Sequence, residues 1–369
     1  MDPSTAHPHP SRRAFTLGGA ALLGAAVAGP LAGARRAAAA PPPGEWAAVP
    51  APPLAGRGNL LGIAAPDPWH VFTGGTENAF QPDARAVMLH RTPRGWTRAE
   101  LPEGLTAVND VRAANAASAW AVATGQDPQE RTDLLHWNGL HWTAVAGPAG
   151  QRLLAIDLDR AGGLWATGGS GGDDATVSVR RHGTWTTSLT LPEAAGLTAI
   201  AAGTPSDVWV GGTGRSSAPP TPLWHFDGAD WTRVQWESAY AHWILQIEYI
   251  APDNVWFYAL EQHPLFPPPT LHHWNGSEFT VHKIPGPFEP LGEVRPMSAI
   301  GFLGSIASDG RGGVWVSSPY DTSHLLHFDG TSWTRETPPV MVTAYSMTRV
   351  PHTTTVWVGT QIGTVWRRS

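Results

Sequence analysis

Within residues 197–234 four short runs follow one another: Leu197-Thr198-Ala199-Ile200-Ala201-Ala202, Asp207-Val208-Trp209-Val210-Gly211, Leu223-Trp224-His225-Phe226 and Trp231-Thr232-Arg233-Val234. Each is rich in β-branched and aromatic residues. The spacers are turn-formers: Thr204-Pro205-Ser206, a Gly/Ser/Pro stretch, and Asp227-Gly228-Ala229. That pattern predicts four short strands in a row. The last two are joined most tightly, because Asp227-Gly228 supplies the positive φ that a hairpin turn needs.

Working outward, the tryptophan of the second run recurs at Trp69, Trp120, Trp165, Trp209, Trp256, Trp315 and Trp357, at intervals of 42 to 59 residues. This is the period of a four-stranded propeller blade, so seven copies predict an all-β, seven-bladed β-propeller. The blades fall near 54–100, 101–145, 151–190, 195–235, 243–283, 297–337 and 342–369. The seventh copy ends at its third strand, Gly363 to Arg368. Its missing fourth strand stands at the other end as Gly44-Glu45-Trp46-Ala47-Ala48-Val49, inside residues 44–50. That strand is expected to complete the last blade and close the ring, since an open sheet would leave an unpaired edge.

Composition agrees with this class. The chain has 369 residues with 41 Gly, 35 Pro and 19 Trp but only 15% charged residues, too turn-rich for long helices. Each buried Trp removes roughly 150–250 Å² from water, about 4–6 kcal/mol as an upper bound. With no cysteine there is no disulfide, thiolate metal site, iron–sulfur cluster, cysteine nucleophile or lipoprotein anchor. A net charge of −6 and no basic run after the amino terminus disfavour nucleic acid and anionic membranes as partners.

Residues 1–40 form a separate region. Ser11-Arg12-Arg13-Ala14-Phe15-Thr16-Leu17 resembles the twin-arginine export signal, and a Gly/Ala-rich apolar stretch, Arg35-Arg36 and Ala37 to Ala40 follow it. We read 1–40 as a removable export signal and 41–369 as the propeller, with no membrane anchor after processing. The expected location is extracellular or at the cell envelope.

The Asp-Val-Trp-Val-Gly run followed by Leu-x-His-Phe/Trp-Asp/Asn-Gly-x-x-Trp resembles the tandem repeats of secreted actinobacterial β-propeller proteins. Asp159-Arg160-Ala161-Gly162-Gly163-Leu164-Trp165 and Asp309-Gly310-Arg311-Gly312-Gly313-Val314-Trp315 are similar to turns of the bacterial two-component-regulator propellers. Val356 to Arg367 is similar to a tectonin repeat. These resemblances cover the chain after residue 40 and imply a scaffold rather than a reaction.

Function is sought where copies depart from the repeat. His90, His136, His225, His273 and His327, with Arg180 in blade three, share one position of the third strand. That strand lies far from the axis, so no two imidazoles can share a metal ion; bonds to a neighbouring blade are the expected role. Asn138, Asp227, Asn275 and Asp329 are read as turn residues. The first strand should line the central channel, and there Asp110, Arg112, Asp157, Gln246 and Glu248 replace alanine-rich content. They form either a paired network or, in an enzyme, a catalytic set of Asp157, Glu248, Asp110 and Arg112.

Blade five is the most irregular. Trp236, Tyr240, His242, Trp243, Tyr249 and His263 are the candidate contact residues, with the stretch 284–296 as a neighbouring loop. No phosphate loop, nucleophile elbow, metal motif or cofactor motif occurs. The reading is a monomeric, non-catalytic binding module outside the cell whose partner is an extracellular protein or glycan. The alternatives are a tectonin-like lectin and a secreted hydrolase or lyase.

Overall fold

The computed structural model describes residues 44–125, 132–169, 174–192, 194–214, 221–235, 242–261, 269–285, 304–318, 321–341 and 343–369. Trp236, Tyr240, His263 and residues 286–296 lie outside them, as do residues 1–43. No helix occurs among the described residues, and the strands form seven four-stranded antiparallel sheets. Six are sequential: blade one (59–98), two (105–145), three (152–191), four (194–233), five (242–283) and six (305–336).

Blade four shows how the opening stretch folds. Its strands are Ala194–Thr204, Asp207–Gly214, Leu223–Phe226 and Trp231–Arg233, paired in that order. Asp227 caps the last hairpin by accepting from the Ala229 and Asp230 N–H groups at 2.9 Å, and Gly228 takes φ 99°. Such a strand alternates its side chains between two faces, so Val208 and Val210 pack toward blade three while Trp209 packs toward blade five.

The seventh blade combines Ala344–Arg349, Val356–Thr360 and Val365–Arg368 with the amino-terminal strand Trp46–Val49, which pairs Trp46 with Arg368 and Val49 with Val365. The Gly44 N–H donates to the Ser369 carbonyl at 2.8 Å. The expected ring closure is therefore present. First strands of successive blades neighbour one another around the ring. Up-and-down order within each blade puts the first-to-second and third-to-fourth turns on one face, here the turn face. Second-to-third loops and blade-to-blade connections occupy the other, the crossover face.

Every seam between blades carries a hydrogen bond between a side chain of one blade and the backbone of its neighbour. Thr76 donates to the Thr106 carbonyl, Thr198 to Ile244 and Ser346 to Leu60; the Met347 N–H donates to Ser305. The other three seams use the channel residues described below.

Second-strand tryptophans stack on third-strand histidines across the sheet. Trp120–His136, Trp209–His225, Trp256–His273 and Trp315–His327 have centroids 4.0–4.5 Å apart. The expected inter-blade role of these histidines is corrected: their second bond is within the blade. His225 pairs with Asp207 at 2.8 Å, His327 with Asp309 at 2.9 Å, His273 with Asn254 at 3.1 Å, and His136 with Ser118 at 3.4 Å.

Blade three departs from this pattern. Trp165 faces Val179, and Arg181 rather than Arg180 reaches Asp159, at 2.7 Å. Arg180 instead lies over Trp120 of blade two, 5.1 Å from the ring centroid.

Blade one also corrects the repeat phasing. Its core aromatic is Phe72, fully buried and stacked on His90 at 4.1 Å, not Trp69. Asp67 accepts from the Trp69 and His70 N–H groups at 2.7 and 2.9 Å, so Trp69 belongs to the turn and is 60% exposed.

Candidate functional site in the axial channel

Seven first strands surround the axis, and the residues beside their central apolar positions line the channel. Those central positions are Ile63, Val111, Ile156, Ile200, Ile247, Ile306 and Met347, each one residue before the partner of the blade's core aromatic. Two cavities meet at a waist shared by Ile63, Ile200, Ile247, Met347, Arg112 and Gln246. The crossover-face cavity is about 300 Å³, with Asn109, Asp110, Thr198, Ser305 and Tyr345 on its wall. The turn-face cavity is about 330 Å³ and carries Arg112, Asp157, Glu248, Tyr249, Arg160 and Arg349.

The channel acids follow one register rule. A polar residue just before the central position accepts the N–H of the next blade's central residue: Asp110 from Ile156 at 3.0 Å and Gln246 from Ile306 at 3.0 Å. One just after it accepts from two residues beyond the next blade's centre: Asp157 from Ala202 and Glu248 from Ser308, both at 2.8 Å. In each case a side-chain acceptor meets a backbone N–H of the next blade's first strand, a bond that an alanine cannot make.

Arg112 lies between acids. Its Nη1 donates to Asp110 and its Nε to Asp157 at 3.1 Å, so the structure brings these three predicted residues together. Glu248 lies on the same wall without a direct bond to Arg112, though it is within electrostatic reach of Arg112, Arg349 and Asp157. Burial pushes the Asp157 and Glu248 carboxyls above the usual range, against the pull of Arg112 on both and of Arg349 on Glu248. Burial works against the Arg112 charge too, but Asp110 and Asp157 outweigh it and raise its pKa.

The blade-five candidates are not brought together. His242 and Trp243 begin the first strand, on the crossover face, while Tyr249 lies near its other end. Seven steps of extended chain at about 3.3 Å each put His242 and Tyr249 about 23 Å apart. His242 is buried edge-on against His272, 5.0 Å away, and its backbone N–H donates to Thr221. Burial pushes His272 down to about 3.

Tyr249 spans the seam to blade four. Its hydroxyl donates to Asp207 at 2.6 Å, and its ring lies where a Cβ on Gly203 would meet it at 2.1 Å. Burial and that bond to Asp207 raise the phenol's pKa.

Two arginines of the turn-face mouth were not among the sequence candidates. Arg160 lies 5.9 Å over the Tyr249 ring and donates to the Ile250 carbonyl at 3.5 Å. Arg349 donates to the Thr353 carbonyl at 3.1 Å. Among the described residues neither has a carboxylate within 4.0 Å. Arg349 occupies the position two after Met347, so extending the first-strand alignment by one residue finds it. Arg160 is inside a turn motif and has no such signal.

Fold and channel together define a seven-bladed β-propeller of tryptophan-rich repeats. No protein-family model matches the sequence, and no curated protein matches it. Among solved structures, one titled "YCF48 bound to D1 peptide" superposes with a TM-score of 0.59 over 88% of this chain and 94% of that one, at 13% identity. At that identity the likeness shows the fold alone.

Proposed function

We propose that this protein is an exported binding module that grips a carboxylate-bearing segment of another protein at the turn-face mouth of its channel. The observation that carries the reading is the pair Arg160 and Arg349, two cations at a 330 Å³ opening whose donors meet only backbone carbonyls among the described residues. Asp110, Asp157 and Glu248 are each committed to a neighbouring blade's N–H, which fits seam residues better than catalysts. The neighbour whose title names a bound peptide supports a protein segment as ligand. Export rests on the twin-arginine motif at Arg12-Arg13.

The test uses the chain from Pro41, immobilised against the organism's secreted and envelope fractions. Losing two charge-assisted contacts of about 1.5–3 kcal/mol each should weaken capture at least tenfold in an Arg160→Ala/Arg349→Ala variant. Capture undiminished by that pair of changes overturns the mouth as the site. The hydrolase or lyase reading draws on the raised carboxyls of Asp157 and Glu248. It requires that Glu248→Gln abolish a turnover while capture persists.

A further inference from the structure

Seven large apolar side chains are exposed among the described residues, and four of them share one sector of the crossover face: Phe80, Val340, Met341 and Ile362. They belong to the loops of blade one, of blade seven and of the connection leading into blade seven, and these two blades pack against each other through Leu60, Val71, Val87, Trp357 and Val365. The Gln361 N–H donates to the Thr343 carbonyl at 3.0 Å, beside Val340 and Met341. Gly363 abuts Leu54, whose Cδ1 would lie 2.5 Å from a Cβ there. The Asn78 and Ala79 N–H groups donate to Ala55 and Arg57 at 3.1 and 2.7 Å. The sector is thus one built surface rather than scattered side chains.

Phe80 is its centre. It is 58% exposed and has φ 68°, whereas the other non-glycine residues with positive φ among the described residues are Asn78, His182 and His352, types that tolerate it. A bulky aromatic is a poor choice for that conformation, and a ring left mostly exposed recovers little of its cost by packing. Arg57 lies over it, 5.5 Å from the ring centroid, within electrostatic reach of Tyr345 on the wall of the crossover-face cavity. Among the described residues Arg57 has no carboxylate within 4.0 Å.

We infer that this sector is a second docking surface, on the face opposite the mouth proposed above, for an extended segment of another protein. The segment lays bulky apolar side chains along Phe80, Ile362 and Met341, and an adjacent carboxylate on Arg57. The stacked guanidinium supplies the charge complementarity that selects an acidic partner.

The probe is a displayed library of linear twelve-residue peptides selected on the chain from Pro41. The expected consensus pairs a bulky apolar residue with Asp or Glu within two positions. Its affinity should fall at least tenfold in Phe80→Asn and in Arg57→Gln, and stay unchanged in Arg160→Ala/Arg349→Ala. Asparagine accepts the positive φ, so the melting temperature of Phe80→Asn should hold or rise as binding is lost. A fall in melting temperature would instead assign Phe80 a structural role and overturn the proposal. A consensus without an acidic residue, or one bound equally by both variants, overturns it too. So does a concentration-dependent dimer that Phe80→Asn abolishes, which would make a second copy the occupant.

Discussion

A chain beginning at Pro50 is expected to show no cooperative unfolding transition. Loss of residues 44–49 removes the fourth strand of blade seven and leaves Val365–Arg368 as an open edge. It also removes Trp46, which packs edge-on against Trp315 of blade six at 5.1 Å within a cluster that includes Leu325, Met347 and Trp366. Truncating a buried Trp to Ala costs about 3–5 kcal/mol, against a typical total stability of about 5–15 kcal/mol. Trp46→Ala should therefore fold with a strongly reduced melting temperature, and the full deletion should not fold. Trp69→Ala, at a solvent-facing turn, should shift stability by no more than about 0.5 kcal/mol. Thermal unfolding followed by circular dichroism reads all three, and a wild-type transition in the deletion would refute closure by this strand.

The second large effect is expected at Glu77. Its carboxylate is fully buried, yet it accepts from the Ala55 N–H at 2.8 Å, Arg98 at 2.7 Å and Arg85 at 2.8 Å. It thereby ties the entry to blade one to that blade's second, third and fourth strands. Burial would raise this carboxyl, but the bonds from Arg98, Ala55 and Arg85 bring it down to about 2. Removing one partner of a buried ion pair costs about 3–5 kcal/mol. Both arginines keep partial access to water, which places Glu77→Ala nearer the lower figure.

The pH dependence follows from the direction of the shift. A depressed carboxyl stabilises fully above its unfolded value of 4.5, and that contribution is lost as pH falls toward 2. Asp157 and Glu248 act in the opposite sense. Their raised pKa values favour the fold when they are protonated, and this share is lost as pH rises through their folded values. Melting temperature against pH should consequently fall less steeply below 4.5 in Glu77→Gln than in wild type. Parallel curves would show that the Glu77 carboxylate is not the acid-sensitive group.

The ring was legible because its strongest signals are local. Asp-Gly turns, second-strand tryptophans and a strand displaced from one end of the chain to the other can all be read without knowing a single contact. Blade one was misphased because Pro68-Trp69-His70 imitates the motif three residues early. The two bonds accepted by Asp67 hold Trp69 and His70 in a turn, and the ladder begins at Val71, which pairs with Arg91. The histidines were assigned to the right strand and the wrong partner, since sequence gives register but not which way an imidazole turns from it.

The site was legible to a similar degree. Asp110, Arg112, Asp157 and Glu248 stood out as polar exceptions on an apolar strand, and the structure places all four on the channel. Arg160 and Phe80 did not, because their roles come from loops that meet only in the closed ring. Tyr249 was grouped with His242 by closeness in sequence, which on an extended strand amounts to distance in space.

The side-chain bonds at the blade seams do not set the closing junction apart. Ser346 reaches Leu60 across 286 positions with the same kind of hydrogen bond that Thr198 makes to Ile244 across 46. Mechanically the inner ring is a hoop of similar staves, and the join between the first and last is no weaker in kind than the rest. A load applied by a bound partner at one sector is passed around the hoop instead of peeling the chain from an end.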